Sequence, residues 1–212
     1  HYPDSNKWGL RPPGKYFRLQ EVDYFDGEEP APAGASPYRP SGYPPPIELR
    51  PFPERCRSVE ALPWVEFRSP KGKFRGTSKE LSIALGARRN TPPGLGGHPF
   101  DLELNRLEPG ECGCPFHFHA AEWEMFLIQR GTATVRINAT THTFNAGDVI
   151  LHPPGEAHQI TNASSSDALE YLLIASNAPV EYWHYPDSGK WGCRQPRKFF
   201  RATDVDYWDG EE

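Results

Sequence analysis

From about residue 58 the chain is cut at short intervals by turn-forming residues: Pro109-Gly110, Arg130-Gly131, Ala146-Gly147-Asp148 and Pro153-Pro154-Gly155. Glycine enters left-handed backbone without a steric penalty and proline presets φ, so such clusters end one element and begin the next. Between them the residues alternate. Leu102, Leu104 and Arg106 interleave with Glu103, Asn105 and Leu107 just before the first turn. A period of two places successive side chains on opposite faces, the signature of a half-buried strand. The same reading predicts strands over 81–86, 123–129, 132–138, 141–145, 148–152, 157–161 and 168–176. With no amphipathic helix in competition, short strands at this spacing predict an all-β sandwich or barrel over residues 58–183.

The flanks read differently. Residues 30–57 are rich in Pro, Gly and Ser, and proline's missing N–H bars them from a helix or an interior strand. They read as a semi-rigid connector. Residues 1–29 and 184–212 are copies of each other, identical at 20 of 29 positions without a gap. Such a period is too long for a solenoid. It fits either a tandem parent architecture, with each copy the tail of one unit, or two arms of a single unit. Aromatic residues mixed with charge make these arms ordered structure, so Trp8, Tyr16, Tyr24, Trp191, Tyr207 and Trp208 are expected to pack against the barrel or a second subunit.

Charge and composition exclude several classes. A net charge of −5 with no basic stripe argues against a nucleic-acid partner. Arg194, Arg197, Lys198 and Arg201 cluster among acids and read as a solvated surface. No run approaches the roughly 18 apolar residues of a membrane span. Four cysteines in 212 residues make no disulfide framework, so a soluble cytoplasmic protein is the expectation. No phosphate loop, Ser-His-Asp set or dinucleotide fingerprint is present.

The chemistry gathers in His117-Phe-His-Ala-Ala-Glu-Trp-Glu124. Histidines two apart on a strand share a face, so His117 and His119 can reach one ion about 2 Å from each nitrogen, while Phe116 and Phe118 turn into packing. Glu124 can return to the same ion across a bend at Ala120-Ala121, with Glu122 a rival of the same parity. His158 follows the Pro153-Pro154-Gly155 turn. A mixed nitrogen and oxygen set of this kind suits a divalent transition ion (Fe, Zn, Mn, Ni or Co) and leaves room for water or substrate.

These residues resemble the two motifs of the cupin superfamily. His117, His119, Glu124 and Gly131 match the spacing of the first motif, and Gly147, Pro153, Gly155, His158 and Asn162 match the second. Gly110 lies one residue further from His117 than the family pattern has it, a one-residue insertion or bulge in Glu111–Pro115. The resemblance spans roughly residues 75–183. It implies a double-stranded β-helix, or jelly-roll barrel, that forms a homodimer. It also implies a metal held by His117, His119, Glu124 and His158, with the spacing to Gly131 favouring Glu124 over Glu122. Tyr185-Pro186-Asp187 looks like the closing segment of small bacterial cupins, and its copy at Tyr2-Pro3-Asp4 supports a tandem bicupin parent.

Function stays broad at this stage, because such barrels host many reactions. The expectation is a metal-dependent enzyme on a small polar organic molecule, a sugar derivative or organic acid, of isomerase, lyase or dioxygenase type. The alternative is a noncatalytic small-molecule binding or sensing domain, and a third reading is a storage-type assembly. Period two sends Phe126 and Ile128 inward with Glu124. His142 and His152 are the candidates for a general acid or base, and Arg136 and Gln159 for substrate anchors. Cys112 and Cys114, just ahead of the histidine pair, read as structural, because a complete ligand set exists without them.

Overall fold

The computed structural model describes residues 51–194 and 197–201. The copy at 1–29, most of the 30–57 connector, and Tyr207 and Trp208 lie outside the described residues. Strands dominate. Six of them, β1 (Val65–Arg68), β2 (Arg75–Glu80), β3 (Phe100–Leu107), β5 (Glu124–Arg130), β8 (Val149–His152) and β10 (Leu169–Ser176), form one antiparallel sheet in the order β1-β2-β3-β10-β5-β8. A second sheet has the order β7-β6-β9, from β6 (Thr132–Ile137), β7 (Thr140–Asn145) and β9 (His158–Thr161). A third runs β13-β12-β11-β4, from β4 (Phe118–His119), β11 (Tyr182–Tyr185), β12 (Lys190–Cys193) and β13 (Lys198–Phe200).

The first two sheets share one core. Leu107, Phe126, Ile128, Leu169 and Tyr171 from the six-stranded sheet meet Ala133, Val135 and Ile160 from the three-stranded one. Each buried Leu, Ile or Phe removes enough apolar surface from water to contribute roughly 1.5–3 kcal/mol. β5 shows the expected alternation, with Glu124, Phe126 and Ile128 buried on one face. This is the all-β barrel that the turn spacing predicts, in the jelly-roll form that the cupin resemblance implies.

Turn chemistry closes the strands where the glycines predict. Gly131 adopts φ +79°, and a Cβ there would come within 2.5 Å of the Ala168 carbonyl, so both conformation and space demand glycine. Asn162, fully buried, donates from Nδ2 to the Leu107 and Asp167 carbonyls at 2.9 and 2.8 Å. Its role is to hold the segment after β9 onto the end of β3.

One predicted strand is wrong. Residues 81–86 form a short helix, α1 (Leu81–Ala84), followed by a turn at Gly86 with φ +100°. The alternation of Leu81 and Ile83 imitates a strand, but pairing with β3 ends at Glu80 and the chain must turn. Ser82 locks the helix there, its buried Oγ accepting from the Leu102 amide at 2.8 Å. The strands missed are β1, β11, β12, β13 and β2, the one before this helix. Arg75–Glu80 is too polar to advertise itself, yet Lys79 is only 5% exposed, donating to the Val59 carbonyl at 2.8 Å and lying over the Trp64 ring. Among the described residues no helix is long and apolar enough to cross a membrane.

Candidate metal centre

Strand pairing alone aligns the centre. Glu124 opens β5 opposite His152 on β8 and Ala175 on β10, and Ala175 in turn faces Asp101 on β3. His117 bridges His158 at the start of β9, and His119 ends β4. The four predicted ligands therefore meet at one end of the barrel. His158 Nε2 lies 2.7 Å and His119 Nε2 3.6 Å from Glu124 Oε2. One ligand atom each of His117, Glu124 and His158 lie within 4.8 Å of one another. The His117 ring is 5.0 Å from that of His119 and 4.9 Å from that of His158.

Each imidazole is oriented from behind. His117 Nδ1 is 2.8 Å from the Pro115 carbonyl and His158 Nδ1 is 3.1 Å from the Glu156 carbonyl. A carbonyl only accepts, so both Nδ1 atoms carry the proton and leave Nε2 for a metal. His119 Nδ1 is held by two carboxylates instead, Glu122 at 3.1 Å and Glu181 at 3.3 Å. This is the carboxylate–histidine pairing that fixes a ligand's tautomer and raises its basicity. Glu122, the rival ligand by parity, stands behind His119. Glu181 had no signal in the sequence. It is 2% exposed and accepts from the Ala120 and Ala121 amides, both at 3.0 Å, which shapes the bend between His119 and Glu124.

The electrostatics suit a cation. Burial works against the charged form of His119, but hydrogen bonds to Glu122 and Glu181 and the charge of Glu124 outweigh it and push it up to about 10. Burial also opposes ionisation of Glu124, yet the surrounding histidines hold its carboxyl far below the usual range. Burial pulls His117 down to about 4, so it is a neutral ligand at physiological pH. Three buried carboxylates against one guanidinium, Arg194 on Glu122, and the imidazolium of His119 still leave the pocket one positive charge short. A divalent ion on this nitrogen and oxygen set fits both the donors and the charge.

The remaining candidates separate. His152 is 1% exposed, stacks on His158 at 4.1 Å, and bonds through Nδ1 to Glu156 at 2.9 Å. His142 is exposed on β7, its Nε2 2.9 Å from Thr140 Oγ1, in contact with Thr140 and Phe144 instead of the four ligands. Arg136 is engaged by Asp187 at 2.8 Å and stacks 3.6 Å over buried Phe116. Gln159 donates to the Cys114 carbonyl at 2.7 Å. Cys112 and Cys114 are free thiols, and Cys114 Sγ is 3.8 Å from His117 Nδ1. Burial and the charge of Glu124 push the Cys114 thiol up, away from thiolate.

A cavity of about 240 Å³ opens onto Glu122 and Glu124 and is also lined by Asp101, Glu103, Arg88 and Arg194. Glu103 sits on β3 opposite Leu173, which pairs with Phe126, so it shares the inward face of the ligand-bearing strands. Burial, reinforced by Asp101 and opposed by Arg89, raises it to about 7. The other end of the site is covered by the closing segment: the Tyr185 ring lies 5.9 Å from His117, and Trp183 6.5 Å from His119. Phe118 packs against His184 and Trp191 on the far face of that sheet.

Residues 104–175 match the model of the cupin domain. The barrel is a cupin. Its fold extends beyond that match in two solved structures. One, from Acidithiobacillus ferrooxidans and provisionally assigned as a sugar phosphate isomerase, superposes with a TM-score of 0.62 at 18% identity, covering 74% of this chain and 97% of that one. The other, a sugar phosphate isomerase of the cupin superfamily from Silicibacter pomeroyi, has a TM-score of 0.56 at 20% identity, covering 71% and 96%. At such identities the likeness establishes the fold. No curated protein matches the chain.

Proposed function

We propose that this cupin is a metal-dependent enzyme that isomerises a small hydroxylated molecule, a sugar derivative or related organic acid. The observation that carries the reading is Glu103. It lines the cavity that opens onto Glu124, yet it is not drawn into the ligand set, and at about 7 it is poised to both take and return a proton near neutral pH. A divalent transition ion held by His117, His119, Glu124 and His158 would supply a Lewis acid, acidifying the C–H beside a carbonyl. Glu103 would accept that proton on a carboxylate oxygen and return it to the adjacent carbon, while the hydroxyl proton passes between the neighbouring oxygens. The net change is a shift of the carbonyl by one carbon, with no redox partner. Asp101 and Arg88 line the same cavity and supply an acceptor and a donor for substrate hydroxyls. The two sugar phosphate isomerase structures of similar fold support the choice of isomerase among the cupin reactions.

The test is direct. The chain is loaded in turn with Fe, Mn, Co, Ni and Zn and incubated with aldose–ketose pairs, phosphorylated and not, in deuterated water. Interconversion with deuterium entering at the carbon beside the carbonyl, lost in Glu103→Gln at unchanged metal content, is the expected result. Tight ligand binding with no turnover under any metal would instead identify a binding domain.

A further inference from the structure

A second hollow, of about 170 Å³, is lined by Asn90, His119, Trp183, Tyr185, Arg194 and Arg197. It shares Asn90 and Arg194 with the larger cavity, so the two adjoin at the metal centre. Their chemistry differs sharply. The larger cavity mixes five carboxylates (Glu80, Asp101, Glu103, Glu122 and Glu124) with Arg88, Arg89 and Arg194, whereas no carboxylate lines the smaller one. Two guanidiniums and an amide face it, walled by an indole and a phenol.

Two acids stand behind this lining, Glu122 and Glu181 on His119, and Glu122 also on Arg194. Arg194 is partly committed, to Glu122, to Asn177 and to the Ala178 carbonyl at 3.1 Å. Arg197 stands exposed on the turn into β13. Lys190 adds a third cation, its Nζ 4.3 Å from the Tyr185 ring centre. On the closing segment Asp187 is taken by Arg136 at 2.8 Å.

We infer that this hollow seats a small oxyanion, a phosphate or carboxylate carried by the substrate, with Arg197 as its principal ligand and Arg194 and Asn90 completing the seat. A guanidinium presents paired N–H donors that match an oxyanion in two-point fashion. The aromatic walls pack along the carbon chain that joins the anion to the reacting end. The substrate is thus a hydroxylated chain with its anion on the arginine side of His119 and its hydroxyls on the carboxylate side. This rests on the isomerase reading only for what happens at the reacting end. The strap that makes the seat, residues 182–200, is the part of the described chain that repeats residues 1–29 from His184 onward.

Isothermal titration of the 212-residue chain, as purified, with inorganic phosphate and separately with malonate tests the seat. Arg197→Ala should weaken the preferred anion about tenfold or more, and Lys198→Ala, an exposed neighbour, should stay within about twofold. Preference for phosphate marks a phosphorylated substrate, and preference for malonate a carboxylate. Elemental analysis should find the same metal content in all three proteins. Equal affinity of wild type and Arg197→Ala for both anions overturns the seat. Because simple anion binding requires no turnover, failure of the isomerase test leaves this result standing. Turnover of a phosphorylated or carboxylated sugar with wild-type KM in Arg197→Ala would overturn the seat and leave the isomerase reading intact.

Discussion

The two ends of the barrel interior are built by the same strands and do opposite work. β3 runs inward-facing from Asp101 and Glu103 to Leu107, β10 from Leu169 to Ala175, β5 from Glu124 to Ile128, and β9 from His158 to Ile160. At one end Leu107, Ile128, Val135, Ile160 and Leu169 are at most 1% exposed and form a dry layer. At the other, Asp101 and Glu103 on β3, Glu124 on β5 and His158 on β9 stand two to six residues away on the same faces. Strand periodicity sets which face a residue occupies, whereas height along the barrel sets whether that face is core or site. A rigid apolar floor lets polar side chains above it be held in place by packing from below.

Paired substitutions on one strand sharpen that division most. Ile160→Ala should cost about 2–5 kcal/mol in chemical denaturation, since a fully buried side chain leaves a cavity, while metal content is retained. His158→Ala, two residues earlier, should strip the metal and abolish turnover while keeping a cooperative unfolding transition. If His158→Ala unfolds the barrel as thoroughly as a floor mutation, the separation of the two layers is broken.

Next in size are the groups behind His119. Glu181→Gln keeps the shape but weakens the pull on Nδ1 and on the Ala120 and Ala121 amides. A drop of roughly 10- to 100-fold in metal affinity is expected by competition with a chelator. Glu122→Gln should do the same and also release Arg194.

A smaller effect falls on Glu103. Its folded-state value near 7 lies above the ordinary 4.5, so between those values the folded chain binds more protons than the unfolded one. Stability contributed by Glu103 therefore falls as pH rises from about 4.5 to 7. Glu103→Gln should flatten that part of the profile and raise the melting temperature at pH 7.5 by a few degrees. An unchanged profile would show that the polar layer is wetter than its burial implies.

The smallest change concerns the outside. Val149 and Leu151 on edge strand β8 are 57% and 55% exposed, and the homodimer expected from the sequence is proposed to cover them. Val149→Asp with Leu151→Asp should shift the mass in solution from dimer to monomer with a stability change under about 1 kcal/mol. A wild-type monomer by light scattering would remove the proposal.

Much of the centre was readable before any fold was known. Parity puts His117 and His119 on one face, and the spacing they share with the cupin motifs adds Glu124 and His158, all local properties of the chain. The partners that tune them were not. Glu181 and Arg194 lie 57 and 70 residues beyond Glu124 in sequence, in a strap with no alternation to mark it, and only the pairing of β11 with β4 brings that strap to His119. Glu103 was likewise visible as a strand residue but not as part of the site, because nothing local tells height along a barrel.

The sequence by itself determined the all-β class and brought forward His117, His119, Glu124 and His158 as candidate ligands, because turn chemistry, the period of two and motif spacing act over short stretches. Tertiary structure decided the rest: Glu122 stands behind His119, Arg136 is tied to Asp187, residues 81–84 wind into a helix, and a cavity of mixed charge adjoins a hollow lined by no carboxylate. Those outcomes depend on which strands become neighbours across the barrel. Burial and charge then act on groups that meet only after the chain has closed.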